Sequence, residues 1–144
     1  MKKLLMFILF VLVTTFGFAQ ELTYSKNYNG DTVAKDQYGN IVATGSTNYN
    51  GDFVWKDPYG NIIKTESRNY NGDKVSKDTY GNTQSTQTTN YSGDEVVKDQ
   101  YGNVQYTLSK DYSGNIVKKD AYGNVLGTYK KNYNGDLVYY PNNY

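Results

Sequence analysis

Neither histidine nor cysteine occurs anywhere in the chain. The first absence removes the commonest general base and the second the strongest nucleophile. Without cysteine there is also no disulfide, no thiolate metal site and no lipid attached through a thiol. Beyond residue 19 there is no methionine, and Phe53 and Trp55 are the only aromatics other than tyrosine. Leu, Ile, Val and Phe together supply 19 of those last 125 residues, too few for an ordinary globular core. An excess of charge is missing as well. Without Lys2 and Lys3, 13 basic residues face 14 acidic ones, so nucleic acid and anionic membranes find no electrostatic hold.

What the chain does have is tyrosine, and all seventeen copies lie beyond residue 19. Chains of low hydrophobicity stay disordered when net charge is high and aromatics are few, and neither condition holds here. The opening residues are of a different kind. Lys2 and Lys3 precede an apolar run from Leu4 to Val13 and a segment ending Gly17-Phe18-Ala19. This pattern predicts a secretory signal over residues 1–19, cleaved after Ala19. Its apolar run is about half of the roughly 20 residues a spanning helix needs. Export is therefore expected, to the medium, the cell surface or the periplasm, with no membrane span after cleavage and residues 20–144 forming a single repeat domain.

Asn27-Tyr28-Asn29-Gly30 returns at residues 48–51, 69–72, 90–93, 111–114 and 132–135, always 21 residues on. Val33, Lys35, Tyr38-Gly39-Asn40 and Thr44 recur at the same period. Such a period marks a repeat architecture in which each unit stacks on its neighbours. Every unit holds two turn signals separated by β-branched and aromatic residues without helical period, which reads as strand, turn, strand, turn. Asn29-Gly30 suits a two-residue type I′ loop; Asp57-Pro58-Tyr59-Gly60-Asn61 suits a three-residue loop with a G1 bulge.

An odd period sends successive copies to opposite faces of a sheet unless one connection per unit flips the phase. One loop of each kind supplies that flip. Val33 then shares a face with Lys35, Ile41 and Tyr28, while Asp36, Asn40, Thr44 and the variable positions 32 and 34 take the other. Neither face is purely apolar, whereas a sandwich shows clean alternation. The expected fold is all-β: about six 21-residue hairpins in a repetitive antiparallel array, a meander or solenoid-like coil of some twelve strands.

At Lys56-Asp57-Pro58-Tyr59-Gly60-Asn61-Ile62 and the other Asp-x-Tyr-Gly-Asn copies, the chain resembles the YD repeats of the Rhs and teneurin type, over residues 21–144. The resemblance implies hairpin-array architecture and extracellular deployment. It carries no active site with it.

No catalytic residue, cofactor or metal is predicted. Asp31 and Asp36 recur in nearly every unit at turn flanks, where such side chains bond to the backbone, whereas an active site is singular. Turn Asp and Asn are hard oxygen ligands, but their spacing matches neither the EF-hand nor the nine-residue calcium repeat. The scarcity of aliphatic residues favours a core made from the Tyr28 and Tyr38 equivalents over their use as sugar-stacking platforms. Phe53 and Trp55, found in one unit only, form with Tyr59 a candidate contact patch. The function expected is that of a secreted or cell-surface structural and adhesive repeat protein, non-enzymatic and multivalent. A glycan- or cell-wall-binding module and a self-assembling amyloid-like fibre subunit are the alternatives, so the partner is an extracellular glycan, a cell-surface component or the protein itself.

Overall fold

The turns organise everything else, and both kinds close in the same way. Gly30 N–H donates to the Asn27 carbonyl at 3.0 Å and Asn27 N–H to that of Asp31 at 3.0 Å; Gly39 and Asp36 repeat the pattern at 3.0 and 2.9 Å. Among the described residues positive φ occurs at glycine alone, for example +84° at both Gly30 and Gly39. Each turn is thus a three-residue loop ending in a left-handed glycine. The two-residue type I′ loop expected at Asn29-Gly30 does not form. The cause is the Asx side chain ahead of the turn: Asn27 Oδ1 accepts from Asp31 N–H at 2.9 Å, which ties off the longer loop. Only the glycine needs a special conformation, so Ser92 and Ser113 replace Asn29 without penalty.

The computed structural model describes residues 22–142, and the signal expected at 1–19 lies outside them. Twelve strands follow in order: β1 (Thr23–Lys26), β2 (Thr32–Lys35), β3 (Ile41–Thr47), β4 (Phe53–Lys56), β5 (Ile62–Arg68), β6 (Lys74–Lys77), β7 (Thr83–Thr89), β8 (Glu95–Asp99), β9 (Val104–Lys110), β10 (Ile116–Asp120), β11 (Val125–Lys131) and β12 (Leu137–Pro141). Each pairs antiparallel with its successor, and β12 pairs with β1 through Thr23↔Val138 and Tyr24↔Leu137. The sheet is a closed barrel. The hairpin array is therefore present, but the open sheet or solenoid expected from the mixed faces is not.

The phase flip demanded by the odd period comes from a bulge and not from unlike loops. Ala34 faces Ala43 while Lys35 faces Ile41, leaving Val42 as the extra residue. The same shift leaves Ile63, Gln84, Gln105 and Leu126 extra in later units. Such bulges bend and twist the sheet, and five of them in phase curl it toward closure. They also move Thr44 to the Val33 face, opposite Val33 itself, and away from positions 32 and 34, where it was expected. A second contribution is stagger. Gly45 lies opposite Thr32 on one side and Trp55 on the other, so the register advances two residues per hairpin and tilts the strands as a barrel requires.

Closure turns the variable face inward. The core consists of Leu22, Tyr24, Ala34, Ala43, Phe53, Trp55, Val97, Tyr106, Leu108, Ile116, Tyr129, Leu137 and Tyr139. Large and small residues alternate. A Cβ on Gly45 would stand 2.5 Å from the Phe53 ring, and one on Gly127 would meet the Tyr139 phenol. Phe53 and Trp55 meet edge to face at 5.3 Å, and Tyr129 and Tyr139 tilt together at 4.6 Å. Pairs of this kind add roughly 0.5–1.5 kcal/mol beyond area burial.

Candidate functional site: two tyrosine rims and a polar lumen wall

Six Asn/Asp-Tyr turns lie on one rim of the barrel and carry Tyr28, Tyr49, Tyr70, Tyr91, Tyr112 and Tyr133. Five Asp-x-Tyr-Gly-Asn turns lie on the other and carry Tyr38, Tyr59, Tyr80, Tyr101 and Tyr122. The first set is fully exposed and the second is 78–93% exposed. These recurring tyrosines were expected to supply the core. Their place in the loops, beyond the ends of the strands, puts them outside it. The tyrosines that do fill the core, Tyr24, Tyr106, Tyr129 and Tyr139, stand at positions whose residue varies from unit to unit.

The turns that hold the rims are self-sufficient. Asp57 Oδ1 accepts from Tyr59 N–H at 2.9 Å and Asn61 N–H at 2.8 Å, and Oδ2 accepts from Asn61 Nδ2 at 3.0 Å. The Asn61 side chain, with backbone N–H groups, holds the Asp57 carboxyl below its ordinary value. Asp36, Asp78, Asp111 and Asp120 are lowered chiefly by their own Asn partners; at Asp99 desolvation is the largest single influence and raises the carboxyl, but Asn103, with the Tyr101 N–H and Gln105, outweighs it. Their oxygens are engaged inside the loop, which leaves the tyrosine as the outward-facing chemistry of each turn.

Inside, the lumen has two unlike walls. From β9 round to β4 it is mainly aromatic and aliphatic, with Thr32 and Lys118 among those residues; from β5 to β8 it carries Lys64, Glu66, Lys74, Ser76, Gln87 and Glu95. Glu66, Lys74, Ser76 and Gln87 are all buried. Lys64 Nζ lies 3.9 Å from Glu66 Oε1. Burial drives the Glu66 carboxyl well above its ordinary value, with Lys64 and Lys74 pulling it part of the way back. Burial likewise lowers Lys64, and Glu66 opposes it. Lys118 sits apart, over the Tyr106 ring at 4.2 Å, and burial pushes it down to about 8. Ser76 Oγ and Gln87 Oε1 are buried without a hydrogen-bond partner, while the Trp55 indole N–H helps to hold the Glu66 carboxyl down.

Of the three residues singled out as a contact patch, Trp55 is wholly buried in the lumen and Phe53 nearly so, while Tyr59 stands exposed on the rim. The structure does not bring the three onto one surface. The polar wall went unread in the sequence. Its signal was there in the repeat: Glu66, Lys74 and Gln87 depart from their equivalents in other units just where neighbours carry Leu108, Ile116 and Tyr129.

No family model and no curated protein matches the chain. Among solved structures, a protein from Arabidopsis thaliana determined by X-ray crystallography is similar, with a TM-score of 0.64 over 85% of this chain and 80% of that one at 13% identity. Alternansucrase in complex with isomaltononaose matches at 20% identity over 80% of this chain but 11% of its own, and its TM-score of 0.22 carries no argument. At these identities the likeness to the plant protein is one of fold alone.

Proposed function

We propose that this is an exported, non-enzymatic binding protein of the cell surface or its surroundings, which attaches through multivalent contacts made by its two tyrosine rims. The observation that carries the reading is the exposure of eleven turn tyrosines, which a structure built only for stability would have covered. Phenol rings offer a flat apolar face and a polar tip with few torsions to freeze, a good surface for repeated weak contacts. A ring of identical weak sites on a rigid frame raises avidity without a deep pocket. The outward strand positions mix apolar residues such as Val54 and Ile62 with Lys56, Thr65 and Ser67, unlike the continuous apolar band with which a barrel faces lipid. Closure also pairs both sheet edges, the templates a fibre subunit would extend. The likeness to YD repeats enters this reading through the turn chemistry only.

The test is retention of the purified protein on insoluble cellulose, chitin and peptidoglycan, and on whole bacterial cells, as rim tyrosines are changed to alanine two, four and six at a time. Retention should fall more steeply than the number of rings removed while the far-ultraviolet spectrum stays constant. Undiminished retention with every rim tyrosine replaced, or no retention on any surface, sinks the proposal.

A further inference from the structure

The sixfold pattern breaks at one place on the first rim, and a cavity of about 410 Å³ lies there, lined by Arg68, Asn71, Gly72, Asp73, Lys74, Gln87, Thr88, Thr89 and Glu95. This volume falls within the roughly 300–1,000 Å³ of small-molecule sites. Elsewhere around the same layer of the lumen the equivalents of Lys74 are Thr32, Phe53, Ile116 and Leu137, and those of Gln87 include Gly45, Leu108 and Tyr129. Phe53, which covers Gly45, plugs that layer with Leu108, Ile116, Tyr129 and Leu137, and Thr32 and Glu66 are buried beside them. Between β6 and β8 the plug is replaced by polar side chains, and the mouth stays open.

The lining is chemically specific. Gln87 is 2% exposed and directly faces Lys74 across the β6–β7 ladder. Its Nε2 donates to Glu95 Oε2 at 3.0 Å, and Thr89 Oγ1 donates to Glu95 Oε1 at 3.3 Å. These bonds fix the amide so that Gln87 Oε1 is left as a buried acceptor with no partner. Arg68 Nη1 donates to the Gly72 carbonyl, which anchors the guanidinium at the edge of the cavity. Two cations, Arg68 and Lys74, balance two anions, Asp73 and Glu95. Such a site has no net pull on an ion. It offers donors and acceptors side by side, with no apolar side chain among them. The group that satisfies both at once is the hydroxyl, and several on one rigid ring match so dense a set. The two turns bounding the cavity carry Tyr70 and Tyr91, both fully exposed.

We propose that this cavity binds one sugar residue of a neutral glycan, with Gln87 Oε1 accepting from a ligand hydroxyl and Lys74, Arg68 and Glu95 completing the ring of hydrogen bonds. The site is single, unlike the rims, and does not depend on them for its chemistry.

The experiment is calorimetry and saturation-transfer NMR on the purified protein with the hexamers of β-1,4-linked glucose and of N-acetylglucosamine. At least one should bind. Gln87→Leu, which installs the residue found at the equivalent Leu108, should weaken that binding by about tenfold or more. Lys74→Thr, after Thr32, should do so as well should the first variant lose its cooperative thermal transition. A protein with every rim tyrosine changed to alanine except Tyr70 and Tyr91 should keep the affinity. Three results overturn the assignment: neither hexamer binding at millimolar concentration, binding that survives both lumen substitutions, or binding that disappears with the rim tyrosines while the cavity is intact. The last would assign the sugars to the rims instead, so the two proposals fail separately.

Discussion

Tyr70 and Tyr129 are the same side chain put to opposite uses. The first is fully exposed in a turn that recurs in every unit; the second is 1% exposed at a position that other units fill with Gly45, Glu66, Gln87 or Leu108. In a stacked solenoid the recurring residues make the core, because each unit meets an identical neighbour. Here the recurring residues make the loops and the outer surface, and the singular ones make the inside. The reason is closure. Six identical units around one axis would point six identical side chains at a single space, which either collide or leave a hole. Filling it to native density requires large residues set against small ones, as Trp55 against Gly45 and Tyr139 against Gly127. Repetition thus specifies the wall, and departure from repetition specifies the contents.

That contrast breaks most sharply under truncation. Trp55→Ala or Tyr129→Ala should destabilise the barrel by about 3–5 kcal/mol, whereas Tyr28→Ala or Tyr70→Ala should stay within about 0.5 kcal/mol. Urea unfolding followed by tyrosine fluorescence measures both, and equal losses at the two kinds of site would dissolve the distinction. Next in size is the reverse change. Gly127→Ala forces a methyl into the Tyr139 phenol and should cost about 1–3 kcal/mol through overpacking; pairing it with Tyr139→Phe, which removes the nearest atom, should recover part of the loss.

The polar wall is probed by pH. The folded-state value of Glu66 is raised to about 7, so its contribution is complete below the ordinary 4.5 and is lost as pH rises from there through the folded value, because the unfolded chain ionises where burial keeps the folded carboxyl protonated. Glu66→Gln should therefore flatten the decline in melting temperature between pH 4.5 and neutrality, and parallel profiles would show that the carboxyl is not responsible. The smallest effect belongs to the turns. The folded-state values of Asp36, Asp57 and their equivalents are depressed, so their contribution is present above the ordinary 3.8 and fades as pH falls through the lower folded value. Asp57→Asn should lower the melting temperature slightly at pH 7 and leave it unchanged in acid below the folded value, so that the acid-induced drop shrinks.

Much of this was legible in the residues. The twelve strands, the hairpin pairing and the need for one phase flip per unit follow from the 21-residue period, and the Asp-x-x-Gly-Asn turn from its side-chain bonding. Three things were not legible. The flip resides in bulges at Val42 and its equivalents, where no glycine or proline marks it. Closure depends on twist accumulated over all twelve strands, which no single unit reveals. The tyrosines misled because scarcity of aliphatics argued for burying them, when the lumen of a closed barrel is small enough to be filled by a few unit-specific residues. The polar cavity was hidden for the same reason: nothing within one unit shows that the face carrying Lys74 and Gln87 turns inward.

Eleven of the twelve ladders join strands close in sequence and can zip as hairpins form, but β1 meets β12 through two residue pairs and the bond from Tyr139 N–H to the Leu22 carbonyl at 3.1 Å. Its partners are separated by nearly the whole described chain, so it bears the largest loop-closure entropy and closes last. Until it does, the molecule is a ribbon with two open edges, each complementary to the other and equally to that of a second copy. Whether the chain ends as one ring or as a linked pair is then a contest between intramolecular closure and concentration, decided at the shortest ladder in the barrel.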